Sequence, residues 1–194
     1  VADLAERFSF DEIRVSHHQN LVLPHVKLHD LHEIWNVLAA NGLASANIGK
    51  AGDIIACPGL DYCTLATARS IPIAQTISRR FADLNRQHEI GPLRINISGC
   101  INACGHHHVA HIGILGLEKK GVEYYQITLG GSSATDASIG TILGPGFSGD
   151  QVPDAIETIV NTYLNLRTGD SDTFLDVVRR LGHQPFKEAL YAPA

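Results

Sequence analysis

The chain has 194 residues, 44% hydrophobic and 18% charged, enough to bury the core of one large domain or two small ones and too apolar for a disordered chain. A net charge of -5 and a pI of about 6.1 argue against a nucleic-acid binder held by phosphate contacts, and no apolar run reaches the roughly 20 residues of a membrane span. Methionine is absent even at position 1, so a sequence opening Val1-Ala2-Asp3 is expected to be a piece of a longer protein.

From the N-terminus, Ile13, Val15 and Leu21-Val22-Leu23 bracket the polar stretch 16–20 and predict two short strands joined by a corner, with Pro24 ending the second. Asp30 followed by Glu33 is a capping-box-like start for a helix carrying Leu31, Ile34, Trp35 and Leu38 at helical spacing. Asn41-Gly42 stops it, and Trp35 is expected to serve packing. Residues 1–46 thus read as a partial strand-and-helix unit lacking part of its sheet, and 47–194 as a second domain.

Ile54-Ile55-Ala56 is a short buried strand that runs into Cys57-Pro58-Gly59. The Ala- and Arg-rich residues from about Cys63 to Gln87 favour helix, with Pro72 as a kink or restart. Gly91-Pro92 turns the chain into a strand over 93–97 whose alternation predicts one wet and one dry face. Residues 109–117 and 122–129 read as a hairpin around Glu118-Lys119-Lys120-Gly121. The Gly- and Ser-rich stretch 130–149 is long for a structureless loop and is expected to bind something or pack against another element. One helix then starts at Pro153 with Val152, Ile156, Ile159, Val160, Tyr163 and Leu164 on one face. A second starts near Asp172 with Phe174, Leu175, Val178 and Leu181 and is closed by Gly182, and Pro185 opens a last short turn through Leu190. The fold class is α+β, a mixed sheet with flanking helices rather than a regular βαβ series.

The four cysteines form two pairs, Cys57-x5-Cys63 and Cys100-x3-Cys104, each where a predicted strand breaks into a loop. Backbone amides there lack ladder partners and can hydrogen-bond to sulfur. Gly59, Gly99 and Gly105 are expected to let the backbone approach a bulky ligand, and Pro58 stiffens one loop. Four thiolates suit tetrahedral zinc or a [4Fe-4S] cube, and the x5 gap spans more naturally across a cube. Disulfides and inert buried thiols are the alternatives.

The segment Ser98-Gly-Cys100-Ile101-Asn102-Ala-Cys104-Gly-His-His-His-Val-Ala-His-Ile-Gly-Ile-Leu-Gly116 resembles the siroheme-containing sulfite and nitrite reductases, whose signature is Gly-Cys-Pro-Asn-x-Cys after an upstream Cys-x5-Cys. Ile13-Arg14-Val15-Ser16-His-His-Gln19-Asn20-Leu21 is similar to the family's Arg-Leu-Thr-x-x-Gln-Asn-Leu, and Leu129-Gly130-Gly131 to its Leu-Gly-Gly. Ile101 stands where the family usually has Pro. The resemblance covers nearly the whole chain and matches the second of the family's two related halves. It implies that Cys57, Cys63, Cys100 and Cys104 hold a [4Fe-4S] cluster. It further implies that Cys104 bridges to the iron of siroheme, with Asn102 near the junction, for six-electron reduction of sulfite or nitrite. The 1–46 unit is then a partial ferredoxin-like unit and 47–194 the [4Fe-4S]/siroheme-binding domain. The implied partners are the N-terminal half of the parent protein, a ferredoxin or flavoprotein electron donor and a small anionic substrate, in the cytoplasm, with no nucleic acid and no membrane. No catalytic residue is assigned within the chain, which alone is expected to be inactive. A non-catalytic zinc-stabilised domain and a simple iron–sulfur electron carrier are the competing readings.

Among the remaining residues, alternation along an extended segment would send His107 to the side opposite His106 and His108, so the triplet reads as a polar rim near the cofactor pocket, with zinc binding as the lesser alternative. His17 and His18 read as part of a hydrogen-bonded turn. Arg69, Arg79, Arg80, Arg86 and Arg94 read as solvated or ion-paired side chains. The stretch 140–149 lacks the Lys-Ser/Thr ending of a phosphate loop.

Overall fold

A short helix, α1 (Ala2–Phe8), opens the chain and buries Leu4 and Ala5; its seven residues are too few to display a period in the sequence. Strands β1 (Arg14–Val15) and β2 (Leu21–Val22) pair antiparallel, Arg14 opposite Val22 and Val15 opposite Leu21. Between them Ser16 ties the corner, its N–H donating to the Asn20 carbonyl at 2.8 Å and its Oγ accepting from the Asn20 N–H at 3.1 Å. Gln19 takes the left-handed conformation there, with φ of 61°.

A 3₁₀ turn at Leu28–Asp30 leads into α2 (Leu31–Ala40), ended by Asn41 and by Gly42 at φ of 68°. The expected capping box does not form. Asp30 has helical dihedrals, whereas a capping side chain needs an extended backbone to curl onto the first amides, and Glu33 pairs with Arg7 at 2.6 Å instead. Trp35 is 53% exposed rather than packed, and on α2 only Ile34 is buried.

The computed structural model describes residues 1–192, and the elements above make up one compact unit, Val1–Ala46, with a second from Asn47 onward. The second unit is built on a five-stranded sheet in the order β3 (Ile55–Ala56), β4 (Ile95–Ser98), β5 (Ile112–Lys119), β6 (Val122–Leu129) and β7 (Thr141–Ile142). The β3–β4 and β4–β5 pairs are parallel and the last two antiparallel, so the sheet is mixed and the fold α+β as expected. The chain crosses from β3 to β4 through α3 (Ile71–Arg80) and α4 (Leu84–Ile90). It ends in α5 (Val152–Leu166), α6 (Phe174–Leu181) and α7 (Gln184–Tyr191). Ile95, Ile97, Ile112, Ile114 and Ile127 of the sheet share one buried core with Ile156, Ile159 and Tyr163 of α5 and with Phe174 and Phe186. Removing that much apolar surface from water is the main stabilising term.

Two expectations for this unit, the helix over 63–87 and the wet face of the strand over 93–97, need correction. Residues 63–70 are turns, not helix, because the Thr67 and Ala68 N–H groups both donate to the Gly99 carbonyl, at 2.9 and 3.0 Å, and cannot serve a helical ladder. Pro72 lies in the first turn of α3 and starts the helix, one of its two expected roles, and the rest of the stretch forms a separate helix, α4, capped by the Asp83 side chain. Strand β4 has no wet face: all four of its residues are buried, since it is flanked by strands on both edges and covered on both faces. The 118–121 tip turns on Lys120 and Gly121, both at positive φ, as a two-residue hairpin loop requires. The 130–149 stretch packs against β6 through β7 and the isolated bridge Tyr125–Phe147, and closes on itself through the bridge Ser132–Ser138. Thr173 caps α6 with a capping box to Asp176, and Gly182 at φ of 71° closes it.

Candidate functional site

Strands β3 and β4 run parallel with Ala56 beside Ile97, so the residues that follow them emerge side by side at the same end of the sheet. Those residues are Cys57 and the Ser98-Gly99-Cys100 segment. The Cys57 N–H continues the ladder to the Ile97 carbonyl at 3.1 Å. The next amide departs from it: the Gly99 N–H donates to Cys57 Sγ, 3.1 Å away. The two cysteine loops are therefore in direct contact, joined through the sulfur of one and an amide of the other. Gly99 O closes the arrangement from the opposite direction, taking the Thr67 and Ala68 amides and the Thr67 hydroxyl at 3.1 Å.

Glycine makes this contact possible. A Cβ on Gly99 would lie 2.5 Å from the Ala68 carbonyl oxygen and 3.0 Å from Gly59 Cα. On Gly59, at φ of 64°, it would lie 2.3 Å from Ser70 Oγ, and on Gly105 2.1 Å from the Ile97 carbonyl oxygen. The three glycines let the two loops and the strand end crowd one another.

All four cysteines are free thiols: Cys57 and Cys100 are buried, Cys63 is half-buried and Cys104 is exposed, as is Asn102 beside it. Among the described residues, no three or more His, Cys, Asp or Glu side chains converge on a single metal ion.

The loop carrying Cys100 and Cys104 is fastened to the sheet by Asn96, which the alternation over 93–97 had assigned to water, and by Ser98 after it. Asn96 Nδ2 donates to the Gly105 carbonyl at 2.8 Å, and the Gly105 N–H donates to Ser98 Oγ at 3.1 Å. Asn96 and Ser98 are therefore supports of the site that the sequence reading missed. Their signal was polar side chains alternating with isoleucine in a strand that runs straight into a cysteine. The other loop is fastened at its far end. The Arg69 N–H donates to Glu123 at 2.8 Å, the Arg69 side chain pairs with Glu123 and Asp61, and the Tyr125 hydroxyl lies 2.8 Å from both the Arg69 carbonyl and Glu123. Burial alone would raise the Glu123 carboxyl, but the bonds from Arg69 and Tyr125 outweigh it and hold its pKa below the usual value. Burial, reinforced by Glu123, pushes the Tyr125 phenol up.

The histidine triplet lies on a 3₁₀ turn, His107–Val109, rather than on an extended segment. His107 differs from its neighbours in burial, since His106 and His108 are exposed, but it does not lie opposite His108. It is 2% exposed, its ring stacks on His108 with centroids 4.0 Å apart, and its Nδ1 has no partner. Burial brings its pKa down to about 4. His111 is lowered to about 4 as well, first by burial and then by the Arg94 charge. The arginines are engaged as expected of structural side chains: Arg80 with Asp154 and Glu157, Arg86 with Glu157, and Arg94 with Ser133. No helix among the described residues is long and apolar enough to cross a membrane.

Comparison with known proteins agrees with this geometry. Residues 50–193 match the family model described as the nitrite and sulphite reductase 4Fe-4S domain, and residues 1–41 match the nitrite/sulfite reductase ferredoxin-like half domain. The chain is 35% identical over 184 residues to sulfite reductase (ferredoxin) 2 of Mycolicibacterium paratuberculosis, covering 90% of this chain and 33% of that protein. It is 30% identical over 168 residues to the ferredoxin–nitrite reductase of Synechococcus elongatus, covering 82% of this chain and 32% of that one. The chain thus spans about a third of the length of the curated relatives it matches. Among solved structures, the NirA protein of Mycobacterium tuberculosis superposes with a TM-score of 0.79 at 28% identity, covering 95% of this chain and 35% of that one. Dissimilatory sulfite reductase I superposes with a TM-score of 0.82 at 13% identity, a likeness of fold alone, over 100% of this chain and 65% of that one.

Proposed function

The chain belongs to the nitrite and sulphite reductase family, and from that premise we propose that it is the cluster-carrying C-terminal part of a sulfite or nitrite reductase, with Cys57, Cys63, Cys100 and Cys104 as the ligands of a [4Fe-4S] cluster. The observation that carries this reading is the Gly99 N–H bonded to Cys57 Sγ, which binds the two cysteine loops into one unit at the end of two parallel strands. The donor set fits the group. Four unpaired thiols are available, and an amide is already aimed at one of the sulfurs that would carry negative charge. A zinc-stabilised domain is favoured less, since zinc ligands are usually two to four residues apart and the gap between Cys57 and Cys63 is wider. A cube takes each sulfur on a different iron and asks for a wider spread.

Within this reading Cys104 is the ligand shared with siroheme. It is the exposed member of the four, with Asn102 exposed beside it, and so has an open side for a macrocycle. When bound, the cluster and the siroheme would supply one-electron transfer and an anion-binding iron, together a six-electron reduction of sulfite to sulfide or nitrite to ammonia. The chain's own part is to hold the sulfurs. Asn96 and Ser98 pin the Cys100/Cys104 loop to the sheet, and Glu123 and Tyr125 pin the far end of the Cys57/Cys63 loop.

The groups that grip the substrate anion and supply protons belong to the N-terminal half of the parent protein. Arg69, Arg80 and Arg86 of this chain are already committed to carboxylates and Arg94 to a serine. The small unit supports the same conclusion. Val15, Leu21, Leu28 and Trp35 are each more than half exposed, as expected of a half domain whose apolar face is covered by the rest of the protein. The isolated chain is accordingly inactive, and the complete protein takes electrons from a ferredoxin or a flavoprotein in the cytoplasm. Anaerobic purification followed by visible absorption and electron paramagnetic resonance tests the assignment. Macrocycle bands together with a cluster signal are expected. A colourless zinc protein, or a cluster without macrocycle bands, would overturn it.

A further inference from the structure

We propose that Ser70 is a positioning residue for the cluster ligand Cys57, releasing the Gly99 amide to hydrogen-bond the ligand sulfur and so raising the reduction potential of the cluster. The inference rests on the cluster assignment above. Ser70 occupies the N-cap position of α3, where serine ordinarily turns its oxygen onto the first helical amides, yet it makes no capping bond. It is fully buried, and its hydroxyl donates to the Cys57 carbonyl oxygen at 2.5 Å, with Cys57 Sγ also 3.6 Å from Oγ.

The parallel ladder explains why that carbonyl needs a donor. After the Cys57 N–H has bonded the Ile97 carbonyl, the regular continuation is the Gly99 N–H to the Cys57 carbonyl. Gly99 donates to Cys57 Sγ instead. A buried carbonyl abandoned in this way is costly unless another donor takes it, and Ser70 is that donor. Gly59 is part of the same device. Its missing Cβ leaves the space that the Ser70 hydroxyl fills, since a Cβ there would lie 2.3 Å from Oγ.

The chemistry follows from charge. An N–H aimed at a ligand sulfur stabilises the more negative, reduced cluster, so each such bond raises the potential. Without the hydroxyl, the Cys57 carbonyl competes for the Gly99 amide and draws it off the sulfur. Cys57, Gly99 and Ser70 thus form a three-residue exchange in which a side chain replaces a ladder bond and the ladder amide serves the metal centre.

The test uses the natural full-length protein that contains this chain, loaded anaerobically. Redox titration followed by electron paramagnetic resonance should show the cluster of Ser70→Ala shifted negative by about tenfold in its reduction equilibrium, or roughly 59 mV for one electron. Ser70→Thr, which keeps the hydroxyl, should restore the potential. The unsubstituted protein gives a second readout that needs no variant: with ¹⁵N-labelled glycine, electron–nuclear double resonance of the reduced cluster should show a coupled glycine nitrogen whose proton exchanges in D₂O. A cluster of unchanged potential in Ser70→Ala, or no coupled glycine in the unsubstituted protein, overturns this proposal alone. A protein that takes up no cluster overturns the proposed function along with it.

Discussion

Replacing Gly99 with alanine asks whether the two cysteine loops are held by backbone crowding. The φ of Gly99 is not positive, so alanine meets no dihedral penalty and any cost is steric. Its Cβ would arrive 2.5 Å from the Ala68 carbonyl oxygen and 3.0 Å from Gly59 Cα, both backbone atoms that cannot swing aside. One loop must retreat by about 1 Å to reach ordinary contact. That displacement stretches the bonds from Thr67 N–H, Ala68 N–H and the Thr67 hydroxyl to Gly99 O, and the Gly99 amide bond to Cys57 Sγ. Overpacking costs about 1–3 kcal/mol and each weakened bond about 0.5–1.5, so a loss of about 3–4 kcal/mol is expected. For a chain of this length that lowers the melting temperature by roughly 6–16 °C. Gly121→Ala is the control: it sits at φ of 79° with nothing within 4 Å of its Cβ, so only the left-handed backbone costs it, about 1–2 kcal/mol. Urea unfolding of both variants, read at constant m-value, decides the matter. A Gly99→Ala loss no larger than that of Gly121→Ala would refute the crowding argument.

Glu123→Gln should loosen the far end of the Cys57/Cys63 loop, seen as faster proteolysis within 60–69 and a stability loss of about 1–2 kcal/mol, because hydrogen bonds to a charged group are worth more than neutral ones. The folded-state pKa of Glu123 is depressed, so its contribution is present above the ordinary glutamate value and is lost as pH falls through the folded value; the variant should show a flatter stability profile in that acid range. His107 and His111 act in a different window. Both are held neutral down to about 4 while an unfolded histidine protonates near 6.5, so the unfolded chain binds more protons and stability falls as pH drops from 6.5 toward 4. His107→Leu fills the same buried position without the orphaned Nδ1 and should reduce that acid sensitivity in chemical denaturation series at graded pH; an unchanged slope would contradict the burial argument. Cys104→Ser in the complete protein should abolish electronic coupling between cluster and siroheme, and a retained coupled spectrum would move the bridging role to another cysteine.

The division between what was legible early and what was not follows the range of the interactions. The 112–129 hairpin could be placed from the sequence because Lys120-Gly121 and the flanking alternation act within a few residues. The amphipathic helices after Val152 were visible for the same reason, each having a buried stripe at helical spacing. Misreadings occurred where a distant partner claimed the backbone. Alanine-rich 63–70 looked helical until Gly99 O took its amides, and the polar face of β4 looked solvated until the cysteine loop folded onto it. Trp35 looked like core because spacing cannot tell a face buried within the chain from one that is exposed in it.

By itself the sequence determined the chemistry on offer, namely four thiols in two pairs with glycines beside them, since residue type and spacing are local and survive any fold. Tertiary structure alone decided that parallel pairing of β3 with β4 brings Cys57 Sγ against the Gly99 amide. It also decided that the glycines let backbone meet backbone, and that a serine in a capping position serves a carbonyl 13 residues away. The physical reason is that a hydrogen bond or a van der Waals contact is sensitive to ångström distances between groups remote in the chain, and only the packed sheet sets those distances.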